Sequence, residues 1–103
     1  MFRRRPFADV IRGQLELFQR EEAELIADCM AAEDAYNRAD RDDAEELYGD
    51  YGDLVEAGTE ALADLRDTFK RTLDEETAED YEAEFNRAVV KRLARFGLEI
   101  ENR

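Results

Sequence analysis

At 103 residues the chain is the size of one compact domain, and its 28 acids against 15 bases leave a net charge of -13. One proline and five glycines give few turn signals, while abundant Ala, Glu, Leu and Arg favour helix, which argues against all-β and alternating α/β folds. The chain has no histidine and no serine, so it lacks the commonest general base, the commonest metal ligand and the commonest hydroxyl nucleophile.

The first element follows a short basic arm, residues 1–5, whose Arg3, Arg4 and Arg5 oppose the dipole of a helix start. A contact with the acidic start of the third helix, or a disordered tail, accounts for them better than nucleic acid or membrane, because the net field repels polyanions. From Pro6 onward, Phe7, Ile11, Leu15, Phe18, Leu25, Cys29, Ala32 and Tyr36 recur at steps of three and four and predict a helix over about 7–38. Cys29 has no partner for a disulfide and lies on the apolar stripe, as a small hydrophobe does.

In the acidic turn around "YNRADRDDAEE", Asp40 or Asp42 is placed to cap a second helix over about 42–73. Its stripe runs Ala44, Tyr48, Tyr51, Val55, Gly58, Leu62, Leu65, Phe69 and Thr72, with Gly58 on the seam and Gly49 and Gly52 beside or behind it. Each of these glycines costs a helix about 1 kcal/mol relative to alanine. Gly58 reads as a notch that admits a neighbour's bulk, at the level of Phe18, Glu22, Val89 and Val90. For Gly49 and Gly52 a kink and a close approach to a second subunit both remain open. A third helix over about 75–96 starts after the candidate cap Asp74 and ends at Gly97, and the tail 98–103 packs back through Leu98 and Ile100 or frays.

Short connections imply an all-α, antiparallel, up-down-up three-helix bundle of long coiled-coil-like helices, in one domain over residues 1–103. Charge agrees with that path: residues 1–20 sum to +3, 21–86 to -19 and 87–103 to +3, so opposite signs meet at both poles, "RDTFKR" with "DEETAED" and "KRLARF" with "DRDDAEE". Glu22 and Arg92 occupy seam positions at one level, and either pair across it to fix register or extend outward.

Catalytic signatures are missing: no Glu-x-x-His pair, no phosphate loop, and only four threonines with no base to activate them. The chain reads as no enzyme and implies no cofactor. Asp40, Asp42 and Asp43 are the only carboxylates that suggest a cation site, but their spacing lacks the glycine and terminal glutamate of an EF-hand loop. The leading reading is a non-enzymatic interaction or structural module, a homodimer, because two helices overhang the third and their apolar ends need cover, with Tyr48 and Tyr51 as candidate interaction residues; if the C-terminal tail fills the overhang, the protein is a monomer. Alternatives are a carboxylate-based cation- or small-molecule-binding bundle and an acidic mimic that occupies a basic protein. No run approaches the roughly 18 apolar residues of a membrane span, and the start lacks a secretory signal, so a cytoplasmic protein without membrane or nucleic-acid partners is expected. The excess of acid with only two lysines suits concentrated salt, although a GC-rich genome yields the same arginine bias. The layout resembles spectrin-like repeats in outline only, since the chain has no tryptophan.

Overall fold

The computed structural model describes residues 6–103, so Arg3, Arg4 and Arg5 lie outside the described part. Every element in it is helical: α1 (Ala8–Glu21), α2 (Ala23–Arg38), α3 (Arg41–Lys70), α4 (Glu75–Arg92) and α5 (Ala94–Ile100). Two aspartates fix the starts of α3 and α4. The Asp40 carboxylate accepts from the Asp42 and Asp43 amides at 3.1 and 3.2 Å, and that of Asp74 accepts from the Thr77 amide at 2.9 Å and the Thr77 hydroxyl at 3.1 Å. The Thr77 amide, followed by its hydroxyl, holds the Asp74 carboxyl below the ordinary aspartate value of 3.8.

Five helices replace the expected three because two stripes break where their neighbours change. The first breaks at Glu22, whose φ of -107° and ψ of 27° lie off the helix. The Glu22 amide still donates to the Phe18 carbonyl, and the Ile26 amide to that of Glu22, so the chain bends without losing its ladder. The bend has a packing cause: α1 packs on α4 as well as adjoining α2, whereas α2 lies along α3. No glycine or proline marks this bend, so periodicity alone runs straight through it.

The second break is at Leu93, with φ -133° and ψ 56°. The expected third helix therefore stops at Arg92, and the chain doubles back so that α5 packs on both α3 and α4. Gly97 does not end a helix. It lies inside α5, where a Cβ would come within 2.8 Å of the Val90 Cα, so its missing side chain allows α5 to approach the α4 backbone closely. Of the two tail residues expected to pack back, Ile100 is fully buried and Leu98 is 87% exposed.

The core gathers Ile11, Leu15 and Phe18 from α1, Cys29 from α2, Leu62 and Ala63 from α3, Tyr81, Phe85 and Val89 from α4, and Phe96 and Ile100 from α5. Each large side chain removed from water here contributes about 1.5–3 kcal/mol before entropy is counted. Phe7 meets Tyr81 edge-on at 5.3 Å, and the Tyr81 hydroxyl donates to Gln14 Oε1 at 2.9 Å. Burial, only partly offset by that bond, pushes the Tyr81 phenol up to about 12. These contacts lie at one end of a molecule that measures 51 × 30 × 24 Å. At the other end α2 and the first half of α3 form a two-helix arm.

Candidate functional site

The arm, residues 23–57, carries twelve acids against Arg38 and Arg41. It has few neighbours to bury against: Cys29 is the one buried residue of α2, and no residue of α3 before Gly58 is buried. Burial pushes the Cys29 thiol up, which suits a small apolar filler between the two helices rather than a reactive thiolate. Near the tip the rings of Tyr36 and Tyr48 pack at 5.2 Å, yet Tyr48 remains 59% exposed, and further back along α2 Met30 is 57% exposed. Large apolar groups thus stand in water among the arm's carboxylates, as Val10, Val90 and Leu98 stand in water at the other end. Tyr51, expected beside Tyr48, is half-buried and faces Arg95.

Asp40, Asp42 and Asp43 lie in the turn at the end of the arm. Asp40 is engaged by the two amides it caps, and Asp42 and Asp43 contribute those amides and are themselves exposed. Among the described residues no group of three or more His, Cys, Asp or Glu side chains is arranged to hold a metal ion. No described helix is long and apolar enough to cross a membrane.

The junction between arm and closed end contains the notch. A Cβ on Gly58 would meet Phe96 Cε1 at 2.3 Å, so the bulk that fills this gap is a ring from α5, which in turn packs edge-on against Phe18 at 5.6 Å. At the same junction Arg95 donates to Glu33 Oε1 at 2.9 Å, while its Nε is buried without a partner among the described residues. The cations near the end of α4 were expected to meet the acidic turn at 40–46. Because the chain reverses at Leu93, Arg95 reaches only Glu33, and the turn projects beyond it. At the opposite end Lys70 pairs with Glu82, just past "DEETAED".

Glu22 and Arg92 do not pair. Glu22 is half-buried at the bend, Arg92 is exposed on the last turn of α4, and no ion pair joins them among the described residues. The buried cation is Arg66 instead, 1% exposed. Its guanidinium donates to Asp67 Oδ1 at 2.8 Å, Asn86 Oδ1 at 2.9 Å, the Ile100 carbonyl at 3.1 Å and the Arg103 carbonyl at 2.6 Å. One planar fork thus ties α3, α4 and the end of α5 together. A signal for it lay in the spacing, since Thr59, Leu62 and Arg66 follow steps of three and four on the flank that α5 covers.

Comparison with family models, curated proteins and solved structures finds no match. The described residues divide into a closed end held by Phe96 and Arg66 and an acidic arm with exposed Tyr36 and Tyr48.

Proposed function

We propose that the protein is a non-enzymatic interaction module that works through the α2–α3 arm and self-associates there. The observation that carries this reading is the exposed pair Tyr36 and Tyr48 near the tip of a two-helix arm, with Met30 exposed further back on α2. Gly49 and Gly52 support it: a Cβ at either would meet nothing within 4 Å, so neither glycine is explained by packing within the chain. A non-catalytic role fits the lack of histidine and serine.

Sedimentation equilibrium tests the reading directly. The full chain should show a mass that rises with concentration, and Tyr48→Ser should weaken association at least tenfold. A strictly monomeric chain at both low and high salt would overturn it. The same acidic surface favours a second reading, an arm that occupies the basic groove of another protein. That reading requires a captured basic partner that salt releases and Tyr48→Ser loses.

A further inference from the structure

Away from the arm, a cleft of about 560 Å³ opens between α1, α4 and Glu101 beyond α5. Ile11, Ala88 and Val90 give it an apolar lining, with Arg12, Arg87, Lys91 and Arg92 around them. Glu84 and Glu101 also line it, which leaves a surplus of two positive charges in a chain whose net charge is -13. Arg12 is paired with Asp9 at 2.9 Å. Arg87, Lys91 and Arg92 have no carboxylate partner among the described residues, and they are three of the six described cations of which this is true. In so acidic a protein, an apolar cleft where three cations without an ion pair outnumber the lining carboxylates Glu84 and Glu101 suits an anionic, partly apolar ligand.

The arm has that chemistry. It offers carboxylates around Tyr36, Tyr48 and Met30, and none of its residues lines the cleft. We propose that the cleft receives the acidic tip of the arm from a second copy, so that copies associate head to tail. The proposal rests on the reading of the arm as the docking element and adds the surface it docks against. A tip-to-tip pairing instead stacks carboxylates on carboxylates, which like-charge repulsion disfavours. At about 0.1 M salt the Debye length is about 10 Å, so contacts between tip and cleft persist while repulsion between the distant bodies of two acidic copies is largely screened. Because the two surfaces differ, each associated pair keeps one free tip and one free cleft, and the assembly grows as a ring or an open chain.

Sedimentation velocity of the full chain at about 0.1 M salt tests this with two exposed-surface variants. Glu45→Lys/Glu46→Lys/Asp50→Lys reverses the tip, and Arg87→Glu/Lys91→Glu reverses the cleft. Each variant alone should lose the higher-mass species. Mixed in equal amounts, they should recover species larger than the monomer, because one supplies the intact cleft and the other the intact tip. Lys91→Gln/Arg92→Gln, a milder change with less risk to folding, should give an intermediate loss. Wild type that associates but is unaffected by either cleft variant, or a mixture that stays monomeric, overturns the head-to-tail proposal and leaves the arm reading standing. Wild type that is monomeric throughout overturns both.

Discussion

The two halves of α3 follow one sequence pattern and meet different fates. From Gly58 to Arg66 the helix keeps Gly58, Thr59, Leu62, Ala63 and Arg66 out of solvent; from Arg41 to Ala57 no residue is fully buried, and Tyr51, Leu54 and Val55 are half-buried. The stripe through Ala44, Tyr48, Tyr51 and Val55 is as regular as the one through Leu62, Leu65 and Phe69. Neighbours make the difference, since the second half lies against α4 and α5 while the first pairs with α2. A regular stripe states which face a helix will bury; how deeply it is buried depends on how many helices arrive to cover it.

The sharpest way to break the contrast is at Arg66. Arg66→Met removes the fork and leaves Asn86 and two carbonyls without their donor, so about 3–5 kcal/mol of stability should be lost in urea unfolding. A loss below 1 kcal/mol would mean that water replaces the fork and that α5 is not clamped.

Alanine at the glycines sharpens the contrast by changing sign along one helix. Gly58→Ala drives a methyl into the Phe96 ring, which is 1% exposed and held by Phe18, and should cost about 1–3 kcal/mol. Phe96→Leu in the same chain should recover part of that cost, as a double-mutant cycle would show. Gly49→Ala and Gly52→Ala point into open space within a helix and should each stabilise by about 0.5–1 kcal/mol. That gain should hold for the dilute chain, and a loss that appears only on raising the protein concentration would mark the contact with a second copy.

The smallest effect concerns pH. The folded-state pKa of Asp74 lies below its ordinary value of 3.8, so its cap contributes above that value and is lost as pH falls through the lowered one. The stability difference between wild type and Asp74→Ala should therefore be full at neutral pH and shrink below about pH 4; a constant difference would show that the carboxylate charge is immaterial.

Much of this architecture was legible because periodicity and capping report local chemistry. Asp40 and Asp74 announce helix starts through their own side chains, and the position of Gly58 on its seam marks a notch. The bends at Glu22 and Leu93 were not legible, because neither carries a glycine or proline and both follow from where other helices pack. Missing the reversal at Leu93 had further consequences. A helix drawn straight to Phe96 puts that ring at the end of a rod rather than in the notch, leaves the Arg66 flank uncovered, and makes Glu22 and Arg92 look like the pair that fixes register. The exposed Tyr36 and Tyr48 were visible as stripe members, but only the termination of α4 at Arg92 shows how far the arm outruns its cover.

Amide hydrogen exchange followed at low and high protein concentration tests the division of labour most directly. The closed end, residues 58–66 and 78–100, should exchange slowly at both concentrations. Residues 36–50 should exchange faster when dilute and gain protection when concentrated, as copies cover the tip. Exchange in 36–50 that matches the closed end when dilute, or that does not change with concentration, would contradict the account.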